Sequence, residues 1–331
     1  MSKDWKAFLS ESNTEFKSIH NIKNSAQMLF DLSDQGLIKV SGEDAESFLQ
    51  NQLTNDIRNV TETTHQASAW CSPKGRIIAN FQIFMHDGSY FLTVSADLIE
   101  HIIKKLRMYV MMSKVTVEDV TDSMIHFGYA GNLQTIIEGA PSTPNQTLQY
   151  NNLTILQLAD NEPRYEVFGD SSYISDAKQL WKQCATNAVA VDNNGWSYLN
   201  IVAGLPNISE ASSEAWVPQM VNYIAIGGVD FKKGCYPGQE IVARLNYLGK
   251  TKRRMYRLKI DTDQLPATGD AIASDSDKEA GKILNAAFNS NGNIEALAVM
   301  KIEETGSELT LADNTGATIT LLELPYSMDN E

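Results

Sequence analysis

The chain has 331 residues, 43% of them hydrophobic and 21% charged, with a net charge of −14; that length exceeds what one core usually organises, so two or three domains are expected. No apolar run reaches the roughly 18 residues of a membrane span, and the opening "MSKDWKAFLSESNTEF" has no secretory h-region. The acidic total argues against non-specific attraction to nucleic acid or anionic membrane.

Cys71, Cys184 and Cys235 are too few and too widely spaced for a disulfide framework, so the reading is a cytoplasmic protein with reduced thiols. In chain order, "LIKVSGEDAESFLQNQLTNDI" comes first. Leu37 to Val40 reads as a strand and Ser41 with Asp44 as a capping box. Ala45, Phe48, Leu49 and Leu53 form one helical face. Next, "QASAWCSPKGRIIANFQIFMHDGSYFLTVSA" reads as strands broken at Pro73-Lys74-Gly75 and at Asp87-Gly88. "DLIEHIIKKLRMYV" places Leu98, Ile99, Ile102, Ile103, Leu106 and Tyr109 on one stripe of an amphipathic helix, and "KVTVEDV" returns as a strand.

From Met124 to about Ala203 the pattern recurs more weakly, with strands at "IHFGYAG", "LTILQL" and "YEVFG" and a helix at "SYISDAKQLWKQCATN", as in a duplicated α+β unit. Asn207 to Met220 reads as an ordered crossing loop. After Gly249, short alternating strands such as "RRMYRLKI" and "IEALAVMKI" point to a small antiparallel barrel or sandwich. The expected division is residues 1–248 and 249–331.

Between Phe231 and Lys259 stand nine basic residues and one acid, Glu240, a local balance of +8 that leaves −22 for the remainder. Such a run is either a solvated strand face or a local anion site. Within it, "DFKKGCYPGQEIVAR" sets Cys235 ahead of Pro237-Gly238, suited to positions i+1 and i+2 of a type II turn, with Ile241, Val242 and Leu245 at helical spacing beyond. Cys235 is then either a packed, inert thiol or one that a helix N-terminus, Lys232 and Lys233 favour as thiolate. With three cysteines and no Cys-x-x-Cys pair, a stably bound metal or self-contained cluster is not expected. All five histidines lie in the first 126 residues, so a base for a protease-like nucleophile is not evident. Trp196 is either core or a platform for a flat heterocycle.

"KKGCYPGQEIVAR", together with "LNIVAGLPNISEASSEAWVPQMVNYIAIGGVDF", "VSGEDAESFLQNQLTNDI", "KLRMYVMMSKVTV" and the terminal "LPYS", resembles the YgfZ family over nearly the whole chain. That family is related to the aminomethyltransferase (T-protein) of glycine cleavage. The resemblance implies an α+β fold: a folate-binding body of two interleaved α+β domains with a C-terminal antiparallel β-barrel. It also implies binding of tetrahydrofolate or a derivative and support of iron-sulfur cluster assembly or repair. Through that support it implies methylthiolation of tRNA by client enzymes such as MiaB, with tRNA itself contacted indirectly, and a link to replication initiation. The signature transfers as Lys233, Gly234, Cys235, Tyr236, Gly238, Gln239 and Glu240, with Cys235 the functional thiol. Trp196, Gln35 and Arg244 are the expected folate contacts.

Three features, at four positions, depart from the aminomethyltransferase pattern. Ala79 and Asn80 replace its acidic pair, so glycine-cleavage chemistry is not expected. Val202 replaces a glutamate that would pair a pterin edge, a loss of about 1 to 3 kcal/mol. Gln35 stands in place of a second tryptophan. The competing enzyme reading is a folate-dependent one-carbon transferase using Cys235.

Overall fold

The computed structural model describes residues 3–12, 14–22, 26–111 and 113–327. In chain order the body runs α1 (Lys3–Glu11), β1 (Gln27–Asp31), β2 (Gly36–Ser41), α2 (Ala45–Gln50), β3 (Gln66–Cys71), β4 (Ile77–His86), β5 (Ser89–Val94), α3 (Ile99–Tyr109) and β6 (Thr116–Asp119). It continues with β7 (Met124–Ala130), β8 (Thr147–Tyr150), β9 (Leu153–Gln157), β10 (Arg164–Asp170), α4 (Ile174–Ala185), β11 (Ala188–Val191), α5 (Asn193–Val202) and α6 (Gln239–Leu248). The final strands are β12 (Arg253–Ile260), β13 (Ala271–Ser274), β14 (Gly281–Phe288), β15 (Ile294–Lys301), β16 (Leu309–Leu311) and β17 (Asn314–Leu322).

These strands build two sheets and a closed barrel. One sheet has the order β3-β4-β5-β2-β6; the other runs β11-β1-β7-β10-β9-β8, with only β1 and β11 parallel. Because β1 joins the strands that follow β6, the two halves interleave, as the resemblance implied. The barrel order is β12-β15-β14-β13-β16-β17, closed by β12 against β17. We propose the division of the chain at 248/249, in the link between α6 and β12; the outermost residues, 1–2 and 328–331, lie outside the described residues.

Strand pattern explains how barrel and body meet. Along β15 every residue from Ile294 to Met300 is buried, because side chains alternate between two faces and neither meets water. Ile294, Ala296, Ala298 and Met300 fill the barrel, while Leu297 and Val299 join the core of the β2–β6 sheet. Two asparagine clamps reinforce that contact. Asn194 exchanges two hydrogen bonds with the Phe288 backbone, both 2.9 Å, and Asn285 does the same with the Asn207 backbone, both 2.9 Å. Asn285 can reach out because β14 is irregular between Ile283 and Asn285.

The loop from Asn207 to Met220 is ordered, with Ser213 donating to the Ile78 carbonyl at 2.8 Å. The expected capping box before α2 does not form. Asp44 is the N-cap residue, but its carboxylate accepts from the Lys114 N–H at 2.8 Å instead. That tertiary partner outcompetes the local cap. Among the described residues no helix is long and apolar enough to cross a membrane.

Candidate functional site

Between the two sheets, α5 and the barrel lies a cavity of about 520 Å³, a volume typical of small-molecule sites. β4 contributes Asn80, Phe81 and Gln82, and β5 contributes Thr93 and Val94. α5 adds Trp196, Ser197 and Asn200, and the barrel adds Thr268 and Asn285. The wall is amide-rich and also carries Asp34, Asp97 and Glu166; no lysine, arginine or histidine is among its described residues.

Glu166 is the group that the sequence reading missed. It lies on β10, opposite Gly128 on β7, and Gly128 has no side chain because a Cβ there would stand 2.6 Å from the Trp196 ring. Glu166 Oε2 is buried without a hydrogen-bond partner. Burial raises the carboxyl to about 7, with Arg164 opposing that shift. The neighbouring His126 Nε2 is 3.8 Å away, too far for a hydrogen bond, and its own burial lowers it to about 3, so it stays neutral. A buried acceptor without a partner costs free energy, and a ligand with N–H donors would relieve that cost. The available signal was the period of the strand in "RYEVFG", which sets Arg164 and Glu166 on one face.

Trp196 and Gln35 both line the cavity. Trp196, however, is only 2% exposed, packed on Phe30 at 5.1 Å and covered by the Arg164 guanidinium at 4.6 Å. It is a wall with an occupied face, and an open stacking platform is not what the structure presents. Arg164 is held by Asp160 at 2.9 Å and donates to Asn200 Oδ1 at 2.7 Å. Asn80 donates to the Pro206 carbonyl at 2.9 Å and accepts from the Ile208 N–H at 2.8 Å. An aspartate could not make the first of these bonds, so this position braces the crossing loop and supplies no base. Val202 and Arg244 do not line the cavity. The carboxylate expected at Val202 on α5 is offered instead by β10, and Arg244 sits on α6, which contributes nothing to the wall.

The thiol lies elsewhere. Ala67 on β3 lines the cavity, whereas the loop carrying Cys235 packs beyond the far end of that strand, beside Cys71 and Ser72. Cys235 is exposed, while Cys71 and Cys184 are buried, and burial pushes both of those thiols up to about 12. The loop beneath Cys235 is firmly held. The Asp230 N–H donates to the Thr54 carbonyl at 3.0 Å, and Lys233 Nζ donates to the Gln50 carbonyl at 2.5 Å and to that of Leu53. The Lys233 ammonium is thereby committed to the body, and desolvation lowers it to about 8. It also lies 5.2 Å from the centre of the buried Tyr236 ring. Gln239 N–H bonds the Tyr236 carbonyl at 3.2 Å and Gly238 has φ 81° and ψ 0°, the expected type II turn. That turn stands between Cys235 and the first helical residue, so the thiol is not at the helix N-terminus itself.

The GCVT N-terminal domain family matches residues 10–158. The tRNA-modifying protein YgfZ of Yersinia pseudotuberculosis serotype IB is 31% identical over 91% of this chain and 92% of its own length. The chain belongs to the YgfZ family. The YgfZ protein of Photorhabdus laumondii is likewise 31% identical, over 92% of this chain and 93% of its own. The aminomethyltransferase T of Bartonella henselae superposes with a TM-score of 0.71 over 98% of this chain and 97% of its own at 16% identity, which establishes a shared fold.

In this YgfZ-family chain the signature residues divide by position. Lys233 and Tyr236 face inward, Cys235 and Glu240 are exposed, and Gln239 is half-buried at the start of α6. Gly238 packs so tightly that a Cβ would stand 2.4 Å from the Ser72 carbonyl oxygen. Gly238→Ala should therefore cost about 1 to 3 kcal/mol from positive φ and that clash. Limited proteolysis should show new cleavage within residues 230–240; an unchanged digest would mean that the loop tolerates the side chain.

Proposed function

We propose that this protein is a folate-binding accessory factor that supports tRNA modification, acting through iron-sulfur enzymes such as the methylthiolating MiaB, with Cys235 as its functional thiol. The observation that carries the folate half is the cavity with a buried, unpartnered Glu166 on its wall. The 2-amino and ring N–H groups of a pterin form the paired donor edge that a carboxylate accepts. When bound, a tetrahydrofolate would supply a one-carbon-carrying or redox-sensitive heterocycle. This chain would orient its edge with Glu166 and enclose it among the amides of Asn80, Gln82 and Asn200. Relatives named as tRNA-modifying supply the other half.

The transferase reading, in which Cys235 reacts with a folate-borne carbon, requires the thiol to reach the bound ligand. Cys235 does not line the cavity. The accessory role is therefore preferred.

Its test is tRNA methylthiolation in cells deleted for this protein. Modification is expected to fall on deletion and to return with the natural gene. Full methylthiolation in the deletion strain would remove the proposal. Direct titration of the purified protein with tetrahydrofolate tests the cavity separately, and saturable binding lost in Glu166→Leu is expected.

A further inference from the structure

The molecule is strongly acidic overall, yet the surface around Cys235 is basic. The turn joining β3 to β4 exposes Lys74 and Arg76, and it abuts the start of α6, since a Cβ on Gly75 would stand 3.0 Å from the Ile241 Cβ. The Cys235 loop adds exposed Lys232, and α6 and the link after it add exposed Arg244 and Lys250. The acids on that segment are Asp230, whose carboxylate accepts from the Lys232 N–H at 2.7 Å, and Glu240. The end of α3 reaches the same region: Lys105 Nζ lies 3.6 Å from Glu214, whose own N–H bonds the Ile77 carbonyl at 2.7 Å.

Large side chains stand open among these charges. Tyr247 is 67% exposed and Leu248 84%, and on α3 Tyr109 is 51% exposed. Both tyrosines are braced on one side, Tyr247 by Phe231 at 5.7 Å and Tyr109 by Trp70 at 6.2 Å between ring centres. Rings held this way, on a face that also carries cations, match what single-stranded nucleic acid requires, cations along the backbone and flat faces for unpaired bases. A protein partner would favour an interface centre depleted of charge, and here exposed Arg244 shares α6 with Tyr247, and Lys250 follows three residues after it.

We propose that the surface built from the β3–β4 turn, the Cys235 loop and α6 docks single-stranded RNA, with Tyr247 as a stacking platform beside the thiol. The identity of that RNA as a tRNA loop rests on the tRNA-modification reading above; the surface itself does not. Direct contact at this face is compatible with the acidic total, because a local field near a binding face matters more than the total once salt screens distances beyond about 8 Å.

The test uses the full-length protein with fluorescently labelled, unmodified tRNA, and with a single-stranded oligonucleotide and a blunt duplex of equal length. Affinity for tRNA should fall with salt, with a log–log slope of about −2 to −4 for a few neutralised phosphates. Lys74→Glu with Lys250→Glu should weaken tRNA binding at least about tenfold. Tyr247→Ala should weaken the single strand by roughly fivefold or more and leave the duplex little changed. Tetrahydrofolate affinity, measured on the same variants, should be unaltered and so report an intact fold. No tRNA binding at low salt, a slope near zero, or indifference to the charge reversals would overturn the inference. If the reversed variant binds tRNA normally yet fails to restore methylthiolation in cells, the surface serves a protein partner and the RNA assignment is wrong. Methylthiolation that depends on the protein without any RNA binding in vitro would sink this inference alone; methylthiolation independent of the protein would sink the proposed function.

Discussion

Glu166→Gln is expected to weaken binding of a reduced pterin roughly 10- to 100-fold while leaving the unliganded protein at least as stable as before. The amide keeps the shape but turns one acceptor into a donor, so one ligand N–H loses a charge-assisted partner, worth about 1.5 to 3 kcal/mol. The pH dependence follows from burial, which holds the carboxyl up to about 7 from an ordinary value of 4.5. The unfolded chain ionises this group first. Its contribution to stability is therefore full below about 4.5 and is lost as pH rises towards 7. A donor-bearing ligand favours the ionised form, so affinity should rise with pH through about 7 and binding below that pH should release a proton. Calorimetry in two buffers of different ionisation enthalpy reads that proton directly. Equal affinity at pH 6 and pH 8 with no proton released would show that the ligand does not meet Glu166.

Cys235→Ala should abolish restoration of tRNA methylthiolation in the deletion strain while changing unfolding free energy by less than about 0.5 kcal/mol, as surface substitutions do. The separation is possible because Cys235 is exposed and the loop is held by its neighbours, Lys233, Tyr236 and Gly238. Lys233→Met would give no such separation, since it strips donors from two buried carbonyls and disturbs the loop as well as any chemistry. Cells expressing Cys235→Ala at matched abundance and regaining full modification would reduce the thiol to a bystander, and the basic face and cavity would then have to carry the function.

Much of this was readable locally. In "RRMYRLKI" the period-two run Tyr256, Leu258 and Ile260 faces the barrel interior, while Met255, on the opposite face of β12, packs into the main core. Pro237-Gly238 specifies its own turn because a residue with positive φ is needed there. Direction and partnership were less legible. The neighbours in sequence suggest that Lys233 and Cys235 act together, yet in an extended segment residues two apart need not share surroundings once the chain bends, and Lys233 turns to the carbonyls of Gln50, at the end of α2, and Leu53. Glu166 was passed over because its meaning depends on Gly128, a strand away in space and 38 positions earlier in sequence; no local pattern announces a glycine that makes room for a tryptophan. Asp44 likewise has the right chemistry for a cap, but the Lys114 N–H that captures it comes from the lead-in to β6, the strand paired with β2 yet 70 positions later in sequence. Local rules set the elements, and long-range pairing decided which side chains met.

The join between barrel and body has a consequence for how the molecule comes apart. Leu297 and Val299 of β15 and Leu284 and Ala287 of β14 are at once part of the barrel wall and part of the main core, and the Asn194 and Asn285 clamps cross the same seam. Detaching the barrel would bare those side chains and orphan four backbone groups together. It would also open the cavity at Thr268 and Asn285. Cleavage by a protease near residue 250 should therefore leave two pieces that stay together and melt as one cooperative unit, each acting as the other's chaperone.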